Sequence, residues 1–348
     1  MGISSTVVRR AFTASVVTLA VSVTPLFAAI AQAVTLNGAG ATFPGPLYER
    51  YIREFKSKNP DITVNYQPIG SGGGIKQIIA GSVDFGGSDA AMTDEEIDKA
   101  NLNRGIILVP TAGGPVAVVY NVPGVSSGLN LSQAAVGNIF GGKITKWNDP
   151  AIASANPGVN LPSQPIRLVV RADSSGTTFV FTNALSAMNP FFKGKIGVSK
   201  TPKWSNSPLQ GKGNPGVASS VQQTPGSIGY VEFSYAKQNN MAMAAVENKK
   251  KQFVAPSLES AQEALANIKF PDNFRVFEGN PGAGYPISGL TWMMIYKKYD
   301  SEKLPAVKKW IEWVLTEGQR LNAQLDYVRI PEAVTKRVLA KLGEVKSQ

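Results

Sequence analysis

Strand-type and helix-type patterns of apolar positions alternate along most of this chain. Apolar residues recur at helical spacing from Leu47 to Phe55 and over residues 179–188, which predicts two helices. Residues 62–67 alternate between apolar and polar, as in a half-buried strand, whereas residues 106–110 and 116–120 are continuously apolar, as in strands covered on both faces. Alternating strands and helices predict an α/β fold.

Glycine and hydroxyl residues cluster at three turns that lead from a predicted strand into a predicted helix. These turns are residues 37–44 (NGAGATFP), 69–75 (IGSGGGI) and 171–179 (RADSSGTTF). The start of a helix presents unpaired N–H groups and the positive end of the helix dipole, and glycine lets an anion approach the backbone closely. One such turn alone is typical of an ordinary Ser/Thr N-cap. Three on one chain favour an anion-binding site.

The composition excludes several kinds of chemistry. The chain has 348 residues, of which 43% are hydrophobic and 17% charged, as in a globular protein of one large or two medium domains. It contains no histidine and no cysteine. The sequence therefore offers no Ser-His-Asp or Cys-His catalytic group, no ordinary zinc site and no disulfide. No metal or cofactor is expected.

The first 33 residues have the layout of a cleaved secretory signal peptide. Arg9 and Arg10 precede an apolar run over residues 14–30, and Ala31-Gln32-Ala33 supplies a small-residue cleavage site. Val34 is the expected start of the mature chain. Because the chain has no cysteine for a lipid or a disulfide, we expect it to be periplasmic. The Arg9-Arg10 pair leaves the choice between general and twin-arginine export open.

The net charge of +11 does not indicate nucleic-acid binding. The basic residues are spread along the chain among acidic ones, and there is no basic helix and no aromatic stacking motif. Two near matches to catalytic motifs are also rejected. Residues 70–76 lack the spacing of a phosphate-binding P-loop, and residues 86–90 (GGSDA) resemble a nucleophile elbow without any histidine to activate Ser88.

Four segments in the same order resemble the periplasmic phosphate-binding proteins of phosphate-specific ABC importers. They are residues 38–44, 70–80, 83–89 and 171–177, and further similarity at residues 226–239 and 325–327 extends the resemblance over almost the whole mature chain. It implies a two-lobed type II periplasmic binding protein fold, each lobe a mixed sheet flanked by helices.

The resemblance also implies the division of the chain into lobes. The first lobe is expected to comprise residues 34–114 and 285–348, and the second residues 115–284. Two crossovers, near Gly114-Pro115 and Gly284-Tyr285, would join the lobes, with the ligand in the cleft between them.

Position by position, the resemblance implies a set of phosphate ligands at the three turns and in the loop after residue 88. The implied ligands are Ala41, Thr42, Phe43, Ser71, Asp89, Arg171, Ser175, Gly176 and Thr177. Asp173 matches the carboxylate that orients the binding arginine. Ser174 stands where glycine is common, beside the ligand residues. The implied partners are inorganic phosphate and inner-membrane permease subunits with a cytoplasmic ATPase, and the protein is expected to be a monomeric carrier.

A carboxylate at Asp89 should repel an anion unless the ligand itself donates a proton. Phosphate near neutral pH keeps at least one proton, whereas sulfate has none to donate, so Asp89 is expected to exclude sulfate. A lone loop aspartate can also simply cap a turn. Two other functions stay open: a carrier tuned to another oxyanion such as molybdate, and an exported phosphoester hydrolase using Ser88, Ser175 or Thr177 near Asp89.

Overall fold

A computed structural model describes residues 1–2, 33–100 and 104–348 of the chain. Residues 33–348 form one compact unit. The predicted signal peptide falls almost entirely on residues 3–32, which lie outside the described residues. No helix in the described part of the chain has both the length and the apolar character needed to cross a membrane.

Fourteen strands and thirteen helices alternate along the described residues. The strands are β1 Val34–Gly40, β2 Ile62–Pro68, β3 Phe85–Ser88, β4 Ile106–Asn121, β5 Asn130–Leu131, β6 Arg167–Arg171, β7 Leu209–Gly211, β8 Ser227–Glu232, β9 Ala242–Met243, β10 Ala245–Glu247, β11 Phe253–Val254, β12 Ser288–Tyr296, β13 Lys298–Tyr299 and β14 Lys346–Ser347. The helices are α1 Gly45–Lys58, α2 Ser71–Ala80, α3 Asp94–Ala100, α4 Gln133–Phe140, α5 Pro150–Ala153, α6 Gly176–Met188, α7 Pro190–Lys195, α8 Gly213–Gln223, α9 Phe233–Gln238, α10 Leu258–Leu265, α11 Leu304–Leu315, α12 Gln319–Asn322 and α13 Glu332–Leu342, with a short 3₁₀ helix at Ala323–Leu325. The predicted α/β class is confirmed.

Nine strands form one mixed sheet in the order β2-β1-β3-β12-β4-β8-β6-β7, with β9 also paired to β4. Strands β2, β1 and β3 are parallel to one another, as are β8, β6 and β7. Strand β12 is antiparallel to both β3 and β4, and β4 is antiparallel to β8. The architecture is that of the expected type II binding-protein fold. The boundaries of the two expected lobes stay a prediction.

Strand β4 belongs to both halves of the sheet. Its residues 106–115 pair with β12, and its residues 116–121 pair with β8. The sequence predicts two separate strands, at residues 106–110 and 116–120. Instead one strand continues through Gly113-Gly114-Pro115, where Gly113 and Gly114 pair with Leu290 and Gly289 of β12. The crossover between lobes expected at these residues stays a prediction.

The helix boundaries follow local chemistry. Pro44 precedes α1, where its missing N–H costs nothing, and Leu47, Tyr48, Tyr51 and Phe55 form the buried face. The predicted capping box of α3 is present, since Glu96 N donates to Thr93 Oγ1 at 3.1 Å and Thr93 N donates to Glu96 Oε2 at 3.0 Å.

Three predicted boundaries were wrong. Helix α2 begins at Ser71 and includes the glycine run that we expected to be a loop, because Gly74 packs directly on the backbone of β1 and β3. The sequence of residues 130–140 predicts a helix throughout, but the segment starts with the two-residue strand β5 and a Ser132 N-cap. Residues 194–216 are rich in glycine, proline and lysine and predict a loop, but they contain β7.

Candidate anion-binding site

The three glycine- and hydroxyl-rich turns lie at the carboxyl ends of parallel strands. The first follows β1, the second follows β2 and the third follows β6, and each leads into the amino end of a helix. The loop containing Asp89 follows β3, which is parallel to β1. Ligands of open α/β sheets bind beyond such strand ends.

The turn after β6 presents the amino end of α6. Ser175 is the N-cap, and its hydroxyl oxygen accepts a hydrogen bond from Thr178 N at 3.0 Å. The ordinary capping role therefore exists, and the Ser175 O–H can still donate elsewhere. Gly176 and Thr177 are the first two residues of the helix, so their N–H groups have no partner within it.

Arg171, the last residue of β6, is held by Asp173. Its Nε donates to Asp173 Oδ1 at 2.8 Å and its Nη2 donates to Asp173 Oδ2 at 2.5 Å. The Arg171 side chain is only 1% exposed, and its Nη1 has no hydrogen-bond partner among the described residues. Burial favours a higher pKa for Asp173, but the hydrogen bond and charge of Arg171 outweigh it and leave this pKa below its ordinary value. The pair fixes the guanidinium while one donor group stays available.

A second carboxylate lies in the same region in a different environment. Asp89 is 1% exposed, and its Oδ1 accepts a hydrogen bond from Thr291 Oγ1 at 2.8 Å. Its Oδ2 has no hydrogen-bond partner among the described residues. Burial raises the pKa of Asp89 to about 7, and the Thr291 hydrogen bond and the charge of Arg171 act in the opposite direction. Asp89 therefore has a buried acceptor that lacks a donor.

Close contacts bring the separate turns together. A β-carbon on Gly176 would lie 2.3 Å from Ser71 Oγ and 2.6 Å from Asp89 Oδ2, so the amino end of α6 packs directly on both residues. Asp89 N donates to Ser71 Oγ at 3.2 Å. Gly72 N also donates to Ser174 O at 2.9 Å, which joins the second turn to the third.

Asn214 joins the first turn to the third. Its Nδ2 donates to Thr42 Oγ1 at 2.9 Å and to Thr177 Oγ1 at 3.1 Å, and its backbone N donates to Thr42 Oγ1 at 3.2 Å. Its own Oδ1 accepts from Glu232 N at 3.0 Å. Asn214 is completely buried. Asn214 therefore connects the Thr42 hydroxyl of the first turn to the Thr177 hydroxyl of α6.

The sequence did not identify Asn214 or Thr291. Asn214 follows a glycine- and lysine-rich segment that predicts only a loop, and nothing local distinguishes it there. Thr291 did carry a signal, because it is a polar residue within the apolar run of β12, where a buried hydroxyl needs a partner.

The first turn contributes in two ways. Ala41 N donates to Gly87 O at 2.9 Å, so this N–H is already used within the fold. Tyrosine hydroxyls donate to the carbonyl groups of the next two residues. Tyr235 donates to Thr42 O at 2.7 Å, and Tyr327 donates to Phe43 O at 2.7 Å. Anchoring both carbonyls fixes the orientation of the peptide groups in this turn.

One glycine in the second turn permits this close packing. Gly70 has φ of +95°, a conformation that other residues rarely adopt. A β-carbon at this position would also lie 2.2 Å from Asp173 Oδ2. A larger residue would therefore push the second turn away from the Arg171–Asp173 pair.

The gathered groups suit an anion rather than a metal. Backbone N–H groups, hydroxyls and one guanidinium surround a single unpaired carboxylate oxygen, and buried charge-assisted hydrogen bonds of this kind are strong. No group of three or more acidic residues in the described part of the chain could hold a metal ion. An anion that fits must accept hydrogen bonds from many donors and donate one to Asp89.

The fold is that of a type II periplasmic binding protein, and the family comparison agrees. A family model described as the PBP superfamily domain matches residues 28–317. The chain is 41% identical over 328 residues to the phosphate-binding protein PstS of Pasteurella multocida, covering 92% of this chain and 94% of the relative. It is 33% identical over 338 residues to PstS of Methanocaldococcus jannaschii, covering 90% and 87%. The chain belongs to the PstS family of phosphate-binding proteins.

Solved structures share the fold at lower sequence identity. One of them is PfluDING, a high-affinity periplasmic phosphate-binding protein bound with phosphate. Its match to this chain has a TM-score of 0.75 and 22% identity, and it covers 88% of this chain and 93% of the PfluDING chain. A phosphate-binding protein from Stenotrophomonas maltophilia has a TM-score of 0.71 and 21% identity, with coverage of 88% and 94%. At these identities the similarity establishes the architecture.

Proposed function

We propose that this chain captures inorganic phosphate at the converging turns. The observation that carries the proposal is the pair of unmatched buried atoms, Arg171 Nη1 and Asp89 Oδ2. A cationic donor and an anionic acceptor that face one small site are both satisfied by an ion that accepts on some oxygens and donates on another. Phosphate carrying one or two protons meets this requirement, and the family membership supports it.

The proposed ligand groups come from all four loops. Arg171 supplies a charged donor, the first N–H groups of α6 and the first turn supply backbone donors, hydroxyls supply further donors and Asp89 accepts. The proposed set is Thr42, Phe43, Ser71, Asp89, Arg171, Ser175, Gly176 and Thr177. Asp173 orients Arg171, and Asn214 aligns the hydroxyls of Thr42 and Thr177. Ala41 contributes through the shape of the turn, since its N–H is used by Gly87.

Capture is proposed to involve closure of two lobes around phosphate, with delivery to an ABC permease and its ATPase. Strand β4 changes neighbours between Pro115 and Val116, which supports a crossover at this position. We place the lobes at residues 34–114 with 285–348 and at residues 115–284. The exported, periplasmic and monomeric state of the mature chain belongs to the same proposal.

Equilibrium dialysis of the purified mature chain with radiolabelled phosphate, alone and with a large excess of sulfate, tests this proposal. We expect retention of phosphate that sulfate does not displace. Displacement by sulfate at comparable concentration would refute phosphate capture. Dialysis with molybdate in place of sulfate tests a carrier tuned to another oxyanion.

A hydrolase is less well supported by the hydroxyls near Asp89. Ser88 Oγ donates to Ala90 O at 2.5 Å and accepts from Ala90 N at 3.1 Å, so this hydroxyl is engaged within its own loop. Ser175 caps α6. We expect no turnover of a chromogenic phosphate ester, and sustained turnover that is lost on replacing Ser175 or Thr177 would favour the hydrolase instead.

A further inference from the structure

A second buried carboxyl lies behind the first turn, outside the proposed ligand set. Glu232, at the end of β8, is completely buried. Its Oε2 accepts from Ser234 N at 3.0 Å and contacts Ser234 Oγ closely, and it lies 2.9 Å from Tyr327 Oη. Its Oε1 has no hydrogen-bond partner among the described residues. We call Glu232, Ser234, Tyr327 and the Phe43 carbonyl the Glu232 network.

The contacts of Tyr327 require a proton that the hydroxyls alone do not supply. Tyr327 Oη lies 2.7 Å from Phe43 O and 2.9 Å from Glu232 Oε2, and it lies 3.0 Å from Ser234 Oγ. A tyrosine hydroxyl has one proton and cannot donate to two acceptors. If Tyr327 donates to Phe43 O, which can only accept, the contact with Glu232 needs a proton from the carboxyl group.

The surroundings of Glu232 also disfavour a charge. A buried carboxylate needs a cation or several donors, and Oε1 has neither. A β-carbon on Gly114 of β4 would lie 3.5 Å from Oε1, so this oxygen faces the strand that joins the two halves of the sheet. If the carboxyl group is protonated, no unpaired charge is buried. The contacts of Tyr327 with Phe43 O and with Glu232 Oε2 then each have a proton of their own.

We propose that Glu232 is a protonated positioning residue that, through Tyr327, holds the Phe43 carbonyl and thereby fixes the Phe43–Pro44 peptide, so that the first turn keeps the Phe43 N–H directed at phosphate. The chain of donors runs from Glu232 Oε2 to Tyr327 Oη and on to Phe43 O. This inference rests on the proposed phosphate site. It assigns to Glu232 an indirect role, since Tyr327 lies between it and the turn.

The charged and titratable groups around the network agree with a neutral Glu232. Burial raises the pKa of Glu232 to about 8, against the opposing hydrogen bonds from Ser234 and Tyr327, and the nearby negative charge of Asp326 raises it further. Asp326 is itself paired with Lys237 at 2.8 Å. Tyr235 on α9 also faces Glu232, and burial raises its pKa.

Glu232→Gln provides a matched control, because the glutamine side chain stays neutral at every pH and its amide oxygen can keep the hydrogen bond from Ser234 N. We expect this variant to bind phosphate within about threefold of the wild type at pH 7. Above pH 8 the wild-type carboxyl ionises and accepts the hydrogen bond of the Tyr327 hydroxyl, which leaves Phe43 O without its donor. The dissociation constant of the wild type divided by that of the variant should therefore rise roughly tenfold between pH 7 and pH 9.5.

Taking this ratio cancels the titration of phosphate and of Asp89, which both proteins share. A ratio that stays constant with pH, or a variant more than tenfold weaker at pH 7, would overturn the proposal. Tyr327→Phe removes the donor to Phe43 O, and we expect it to weaken phosphate binding roughly tenfold with no further change on adding Glu232→Gln. Additive losses in the double variant would contradict the relay.

Infrared spectroscopy tests the proton without any ligand. The wild type, carrying isotope-labelled glutamate, should show a protonated-carboxyl stretch at pH 7 that weakens progressively as the pH rises through about 8. Absence of this band at pH 7 would overturn the assignment even if Glu232→Gln failed to fold. Phosphate binding by the wild type is measured separately, so a failure of the proposed function is distinguishable from a failure of this inference.

Discussion

Replacement of Asp89 by asparagine should abolish discrimination between phosphate and sulfate. Asparagine has almost the same shape as aspartate, keeps an acceptor for the Thr291 hydroxyl and removes the negative charge. Its amide can also donate a hydrogen bond to sulfate. Sulfate should therefore bind the variant far more tightly than the wild type, while phosphate binding should change by about tenfold or less.

The size of the effect follows from the environment of Asp89. The ordinary pKa of an aspartate carboxyl is 3.8, and burial in this site raises that of Asp89 to about 7. That change corresponds to about 4 kcal/mol, or roughly a thousandfold in affinity. Phosphate offsets this cost by donating its own proton. Sulfate must bind beside an unpaired carboxylate or wait for Asp89 to take a proton from solvent.

The same two pKa values determine the direction in which sulfate affinity changes with pH. Because the closed site favours the protonated carboxyl, formation of the sulfate complex takes up one proton between pH 3.8 and pH 7. Wild-type sulfate affinity should thus rise about tenfold for each pH unit from 7 down to 5. In Asp89→Asn the sulfate affinity should not depend on pH in this range.

Titration calorimetry of both anions at pH 5, 6, 7 and 8 measures these quantities. Asp272→Asn is the matched control, since it removes the same charge from a side chain that is 98% exposed. A gain of less than tenfold in sulfate affinity for Asp89→Asn, or wild-type sulfate binding independent of pH, would refute the role given to Asp89.

Three further substitutions address the packing of the site. Gly176→Ala places a β-carbon 2.3 Å from Ser71 Oγ, so phosphate affinity should fall by about 30-fold or more in calorimetry; wild-type affinity would contradict the close packing. Asn214→Ala removes three buried hydrogen bonds and should weaken phosphate binding about 30-fold in equilibrium dialysis, whereas a loss below threefold would rule out the connector role. Lys200→Met breaks a partly exposed pair with Glu96 and should speed phosphate release only about twofold in stopped-flow measurements, a change absent at high salt.

Local chemistry was enough to predict many of the individual elements. Pro44 and the periodic apolar face defined α1, and the Thr93–Glu96 capping box defined the start of α3. The sequence of residues 227–232 (SIGYVE) predicts a strand, and β8 occupies these residues. The sequence also favours a core position for Trp147 over a ligand contact, and Trp147 is buried with its indole N–H donated to Gly226 O at 2.9 Å. These features depend on residues close together in sequence.

Features that depend on distant partners were not predicted. The helix that begins at Ser71 packs so closely that Gly74 meets the backbones of β1 and β3 and Gly72 meets Ser174, and nothing within the segment reveals those neighbours. Asn214 is important because of Thr42 and Thr177, which are far from it in sequence. The unpaired oxygen of Asp89 likewise becomes evident only when its neighbours are in place.

The position of β12 in the sheet sets the order in which the protein can be assembled during synthesis. Strand β12 separates β3 from β4, yet its residue Trp292 is made about 200 residues after its partner Ser88. Strands β3 and β4 therefore cannot pair with their shared neighbour until most of the chain has left the ribosome. Nascent chains that stop before residue 288 should remain susceptible to proteolysis, and the amino-terminal half should gain resistance only when β12 arrives.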